Sequence, residues 1–274
     1  MIEIKDLTFG YKKNQNLFRE LNLNLKAGSI YGLFGMNGAG KTTLLKHISG
    51  LLYPQEGECL IFEKDVKERL PEIMANIYII PEEFVLPNIK ISTFVDLHAP
   101  FYPRFSQEMF DKYLNEFEVS NGKSITKYSY GQKKKFLIAF GLATQTNVLL
   151  MDEPTNGLDI PSKSQFRRIM AAAATEDQCI VISTHQVRDL ASIIDHIIVL
   201  DNGKIIFHKN IYDIGEKLAF GKLKEPSDQQ VLYSEEVLGG KAAIYKNNGQ
   251  DTAIDLELLF NAIIKNPQVI NQAI

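Results

Sequence analysis

Residues 35–43 read Gly-Met-Asn-Gly-Ala-Gly-Lys-Thr-Thr. The run fits G-x-x-x-x-G-K-[ST], with Gly35, Gly40, Lys41 and Thr42 at the fixed places. A chain of phosphates needs many N–H donors converging on it, and only a tight glycine-rich turn lets backbone approach that closely. Met36, Asn37, Gly38 and Ala39 would supply that backbone. Lys41 would reach the terminal phosphates, and the Thr42 hydroxyl, with Thr43 beside it, would hold Mg²⁺. The loop by itself leaves kinase, GTPase and ATPase chemistry open.

Other residues could complete such a site. Val148-Leu149-Leu150-Met151-Asp152-Glu153 is an apolar strand ending in two carboxylates. Asp152 can join the Mg²⁺ shell, and Glu153 can polarise an attacking water if it touches that water. His185 follows another apolar run, Cys179 to Ser183. Alone it reads as a surface or core histidine; at the same sheet edge as Lys41 and Asp152 it becomes a phosphate-facing group. Tyr128-Ser129-Tyr130-Gly131-Gln132 precedes a long helical stretch. Taken bare it is a turn and a cap, although a serine hydroxyl and amides at a helix start also suit an anion. Lys133, Lys134 and Lys135 read as a solvated face.

These groups need elements to position them. Ile30 to Phe34 is a short, mostly apolar run that reads as a buried strand, and Leu44, Leu45 and Ile48 follow at helical spacing with Gly50 as the stop. Strand, loop and helix place the phosphates at a helix N-terminus. Ile2, Ile4, Leu7 and Phe9 mark an early strand, and Leu21 to Lys26 alternates strictly, as a strand with one wet face does. Residues 58–62 and 76–80 are further strands. Residues 92–119 read as aromatic-rich helix broken near Pro100 and Pro103, and a long helix spans Gln132 to about Thr144. Residues 162–174 are helical. Residues 197–200 and 204–207 form a hairpin about Asp201-Asn202-Gly203. From about residue 211 the pattern weakens: Glu225 to Asp228 reads as a linker, two short strands flank Gly239-Gly240, and Asp255 to Lys265 reads as an amphipathic helix. The alternation of strands and helices means a mainly parallel sheet.

The 274 residues suit one α/β domain with an appendage, and 45% apolar residues suffice for its core. Thirty basic against thirty-three acidic residues leave a formal charge of −3, with no basic excess to suggest a nucleic-acid partner. Cys59 and Cys179 lack metal-ligand spacing and read as reduced, buried thiols. The start of the chain has no secretory pattern, and no apolar run approaches the ~18 residues of a membrane span. The expectation is a soluble polypeptide that reaches a membrane only through a partner.

Together these pieces resemble the nucleotide-binding subunit of an ATP-binding-cassette (ABC) transporter, over about residues 1–210. Gly35 to Thr43 matches the Walker A loop, and Leu149 to Glu153 matches Walker B plus the catalytic glutamate. Thr155-Asn156-Gly157-Leu158-Asp159 looks like the D-loop, and His185 like the switch histidine. Tyr11 stands where the family stacks an aromatic ring on adenine. Ser129-Tyr130-Gly131-Gln132 resembles the signature, with Tyr130 in place of its first glycine. Ile80-Pro81-Glu82 stands where the Q-loop glutamine is expected, and Glu82 can still accept Mg²⁺ or a water.

The resemblance implies an α/β P-loop NTPase. It would have a mainly parallel core sheet, an antiparallel β subdomain, a helical subdomain over about residues 84–145 and a small C-terminal extension from residue 211 to 274. It implies ATP and Mg²⁺ as ligands and an ATPase coupled to transport. Two cassettes, as homodimer or heterodimer, would pair head to tail, so that Ser129, Gly131, Gln132 and Asp159 face the partner's nucleotide. The permease would be a separate membrane chain, which holds the cassette on the cytoplasmic face of the cell membrane. The short helical segment and the helix near Asp255 favour export over import. The alternative is a non-transport ABC ATPase acting on ribosomes or DNA; one cassette and no long coiled-coil insertion weigh against it.

Overall fold

The computed structural model describes residues 1–13, 15–222 and 230–274. The chain opens with β1 (Ile2–Phe9), β2 (Phe18–Leu25) and β3 (Ser29–Phe34), and a glycine turn leads into α1 (Lys41–Ile48). Next come β4 (Glu56–Ile61), β5 (Lys64–Asp65), α2 (Pro71–Met74) and β6 (Ile77–Ile80). A helical stretch holds α3 (Ile91–His98), α4 (Gln107–Glu116) and α5 (Tyr130–Ala143). Then follow β7 (Val148–Asp152), α6 (Ile160–Ala173), β8 (Cys179–Thr184), β9 (His196–Asp201) and β10 (Lys204–Asn210). The chain finishes with α7 (Ile211–Lys217), β11 (Leu218–Lys222), β12 (Val231–Val237), β13 (Gly240–Lys246), α8 (Leu256–Lys265) and α9 (Pro267–Ala273).

The central sheet has the order β10-β9-β3-β8-β7-β6, parallel throughout except for the β10 edge. β3, β7 and β8 are buried almost end to end, as strands covered on both faces must be. Their side chains divide by parity. Leu149, Met151, Ile180 and Ile182 feed one core with α5, α6 and the C-terminal helices. Val148, Leu150, Cys179 and Val181 feed a second core with α1 and the antiparallel sheet β2-β1-β4-β5. Cys59 and Cys179 are free thiols in this second core, and burial pushes both up to about 12.

The strand ends are level. Phe34 pairs with Thr184, and Asp152 with Ser183. The residues that follow each strand therefore emerge along one edge of the sheet, outside the carboxyl ends where ligands of such sheets bind.

Most expected elements are present, with shifts of a residue or two. The long helix starts at Tyr130 and α6 at Ile160. The expected linker at Glu225 to Asp228 lies outside the described residues. Beyond residue 210 the sequence reading found β12, β13 and α8 but missed α7, β11 and α9; β11 pairs with β13 to complete a third sheet. The extension is not a loose appendage. Leu258, Leu259, Ala262 and Ile263 of α8 are buried in the same core as Val187, Leu190 and Val199.

Candidate active site

Between β3 and α1 the chain makes a turn that only glycine fits. Gly38 and Gly40 have φ of +82° and +109°. A Cβ on Gly35 would sit 2.4 Å from the Leu200 carbonyl oxygen. α1 starts at Gly40 with no side chain capping its amides, so its N-terminal dipole and donors point into open space. Lys41 folds back over this loop. Its Nζ donates to the carbonyls of Gly35 at 2.8 Å and Met36 at 3.4 Å, and lies 3.9 Å from Glu153 Oε1. Burial lowers the lysine's pKa, while Glu153, Asp152 and Glu82 pull it back up.

The carboxylates stand opposite. Thr42 Oγ1 donates to Asp152 Oδ2 at 2.6 Å, and Ser183 donates to the other oxygen of Asp152. Asp152 is 2% exposed. A buried carboxylate and hydroxyl in contact form an oxygen donor pair, which fits a small hard cation that takes one or two protein oxygens plus phosphate oxygens. At Glu153 the chain turns sharply, with φ +45°. Its Oε2 accepts from Thr184 at 3.0 Å, and its Oε1 accepts from the His185 backbone N–H at 3.0 Å, with His185 Nδ1 2.9 Å away.

These groups line one cleft of about 630 Å³, together with Tyr11, Leu17, Asn37, Gly38, Gly40, Thr43, Glu82 and Asn156. Tyr11 stands at its mouth, 63% exposed, with its hydroxyl 3.1 Å from Thr43 Oγ1. Met36 and Ala39 line the adjoining hollow with Asn37 and Gly38. Glu82 Oε1 accepts from Asn156 Nδ2 at 3.1 Å.

Ser129, Gly131, Gln132 and Asp159 are not part of this cleft. Ser129 and Gln132 close a reciprocal cap on α5: Ser129 Oγ accepts from the Gln132 N–H, and Gln132 Oε1 from the Ser129 N–H. Asp159 caps α6 through Ser162 N–H at 2.9 Å, and hydrogen bonding from the Ser162 side chain, then from its backbone, holds the Asp159 carboxyl below the usual range. Tyr130 packs on its own chain. Its ring stacks on Phe84 with centroids 5.2 Å apart, and its hydroxyl donates to the Glu82 carbonyl at 2.7 Å.

The lysine run corrects an expectation. Lys134 is fully buried, not solvated. Its Nζ donates to the carbonyls of Pro81 and Glu82 and sits 5.5 Å from the Phe84 ring centroid. Lys135 reaches the Phe117 carbonyl and Gln165. A run of three lysines gives no periodicity from which to pick out the one that turns inward. Asn156 and Ser183 lay in stretches already singled out, yet nothing in their types assigned them. Nothing in the sequence pointed to Leu17.

Comparison with known proteins agrees with this geometry. Residues 18–156 match the family model described as ABC transporter. The chain is similar to the energy-coupling factor transporter ATP-binding protein EcfA of Methanocaldococcus jannaschii, with 30% identity over 88% of this chain and 90% of that protein. It is also similar to the bacitracin transport ATP-binding protein BcrA of Bacillus licheniformis, with 30% identity over 82% of this chain and 72% of that protein. Among solved structures, the ATP-binding subunit of an ABC transporter superposes with a TM-score of 0.70 at 27% identity, over 78% of this chain and 91% of that one. The chain belongs to the ABC transporter family, as one of its ATP-binding subunits.

Proposed function

We propose that the cleft binds ATP with Mg²⁺ and hydrolyses it, and that Glu153 takes the proton of the attacking water. The observation that carries this reading is the convergence of Lys41 and the Glu153 carboxylate, 3.9 Å apart, with His185 on the same carboxylate. Tyr11 stacks on the base. The Gly35–Thr43 loop and Lys41 hold the phosphates, and Lys41 balances charge that develops on the leaving side. Thr42 and Asp152 would hold the cation, and Glu82, which lines the same cleft, would accept the cation or one of its waters. Bound Mg²⁺ supplies charge neutralisation across the terminal phosphates. Thr184 and His185 orient Glu153, and His185 can in turn meet the γ-phosphate.

We further infer that two cassettes pair head to tail. Ser129, Gly131, Gln132 and Asp159 stand away from their own cleft, as groups that serve a partner's nucleotide must. Residues 1–210 would form the cassette, with about 84–145 as the helical part that meets a separate permease on the inner face of the membrane, and 211–274 as an accessory extension. Among the described residues no helix is long and apolar enough to cross a membrane, which leaves the translocation path to that partner. The short helical segment and the helix near Asp255 favour export over import. Phosphate release by the purified chain, with and without Glu153→Gln, tests the core of the reading. Turnover of the variant within threefold of wild type would overturn the role of Glu153.

A further inference from the structure

Glu153 stands in a backbone conformation that it does not favour by itself. Its φ of +45° lies in the left-handed region, which a residue with a Cβ occupies at a cost and keeps only where its surroundings hold it. Before this turn the hold is the sheet: the Glu153 N–H donates to the Ser183 carbonyl at 3.1 Å, continuing β7 along β8. After it the chain leaves the sheet. There the anchor is Thr155, 1% exposed, whose hydroxyl donates to Asp189 Oδ2 at 2.8 Å.

Asp189 belongs to the exit of another strand. It lies in a short 3-10 turn, Val187–Leu190, which follows His185 at the end of β8. Val187 and Leu190 are buried in one core with Leu258 and Leu259 of α8, so the turn that carries Asp189 is fixed from behind. The same Asp189 oxygen lies 2.8 Å from Lys163 Nζ of α6, and the two side chains are 13% and 20% exposed. The pair is thus largely sheltered from the water that makes surface pairs weak. Lys163 Nζ also donates to Gln186 Oε1 at 2.7 Å. The Gln186 backbone N–H donates to Thr184 Oγ1 at 2.9 Å, and that hydroxyl donates to Glu153 Oε2 at 3.0 Å. These contacts close a ring on one residue. One arm runs from the Glu153 backbone through Pro154 and Thr155 to Asp189. The other runs from Lys163 through Gln186 and Thr184 to the Glu153 carboxylate. The arms join at the Asp189–Lys163 pair, and neither of these two residues lines the cleft.

We propose that Asp189, paired with Lys163, is a positioning residue for ATP hydrolysis: it clamps the loop after Glu153 to the loop after His185, and so sets where the Glu153 carboxylate stands without touching nucleotide. The inference rests on the ATP reading above. A carboxylate suits the junction because one of its oxygens accepts from a hydroxyl and an ammonium together.

The full chain with Asp189→Ala, made in the wild-type and Glu153→Gln backgrounds, tests it, with kcat, KM and ATP affinity by calorimetry read in parallel. In the wild-type background kcat should fall about tenfold, the order of loss that a small misplacement of a reacting group brings, while KM and affinity stay within twofold. In the Glu153→Gln background the same substitution should change the residual phosphate release, followed with radiolabelled ATP, less than twofold, because residues that act as a unit are not additive. A tenfold loss in both backgrounds, or a loss of affinity as large as that of kcat, means a general disturbance of the fold and overturns the proposal. Should Asp189→Ala not fold by circular dichroism, Lys163→Met opens the ring at its other junction. It must show the same loss of kcat with the same dependence on Glu153, and wild-type turnover in it overturns the proposal. A wild-type chain that releases no phosphate from ATP overturns the nucleotide reading and this inference with it, whereas an active wild type with kcat of Asp189→Ala within twofold overturns only the role of Asp189.

Discussion

Two helix starts in this molecule are built from similar material and left in opposite states. α1 begins at Gly40 with no side chain on its first amides, at the floor of a cleft lined by carboxylates and lysine. α5 begins at Ser129, where Ser129 and Gln132 satisfy each other's backbone. An uncapped helix end keeps four donors for a ligand, whereas a capped one is complete by itself. The first is thus a receiving end that works within one chain. The second is a closed edge with Tyr130 45% exposed beside it, and in the reading proposed above it meets the partner's nucleotide.

The comparison breaks first at the carboxylate. Glu153→Gln should cut ATP turnover about 10³-fold, within the usual range for loss of a general base, while ATP affinity stays within a few-fold. A phosphate-release assay beside calorimetry separates the two. Lys41→Ala should act on binding itself and weaken ATP affinity about 100-fold, since it removes a charge-assisted partner of the terminal phosphates. Unchanged affinity would make the glycine loop a structural turn. Ser129→Arg sharpens the contrast. It should reduce ATP-dependent self-association about tenfold in sedimentation or light scattering, with monomer affinity within twofold. Equal loss of monomer affinity would place the capped helix start in its own chain's cleft.

The smallest effect is one of pH. Burial lowers the pKa of Lys134 to about 8, against 10.5 for a free lysine. Between those values the unfolded chain holds a proton that the folded chain has released, so stability contributed by this site rises as pH climbs from about 8 towards 10.5. Urea midpoints at pH 7.5 and 9.5 should therefore shift in favour of wild type relative to Lys134→Met at the higher pH. A gap that is independent of pH would show that folding does not lower the Lys134 pKa and that its ammonium stays charged across this range.

Much of the candidate cleft was legible because each strand end carries its chemistry in adjacent letters: Gly35 to Thr43 after β3, Asp152-Glu153 at the end of β7, His185 after β8. The parallel sheet then brings separate stretches to one edge with no further information needed. Lys134 was illegible for the opposite reason. Whether a lysine faces water or two carbonyls depends on a loop fifty residues away, Pro81-Glu82, and local periodicity carries no such contact. The extension was half legible. α8 has strong amphipathic spacing, while β11 takes its place only by pairing with β13, more than twenty residues later.

The parity of β7 has a further consequence. Leu149 and Leu150 are neighbours in the chain but belong to different cores, one shared with α5, α6 and the C-terminal helices, the other with α1 and the antiparallel sheet. The strand is a party wall. A methyl label on Leu149 would listen to the tail and the helical half, and one on Leu150 to α1 and the antiparallel sheet, although the two residues share a peptide bond. Asp152 terminates that wall, so disturbances from either half arrive at the same carboxylate and can be told apart only by which of its neighbours heard them first.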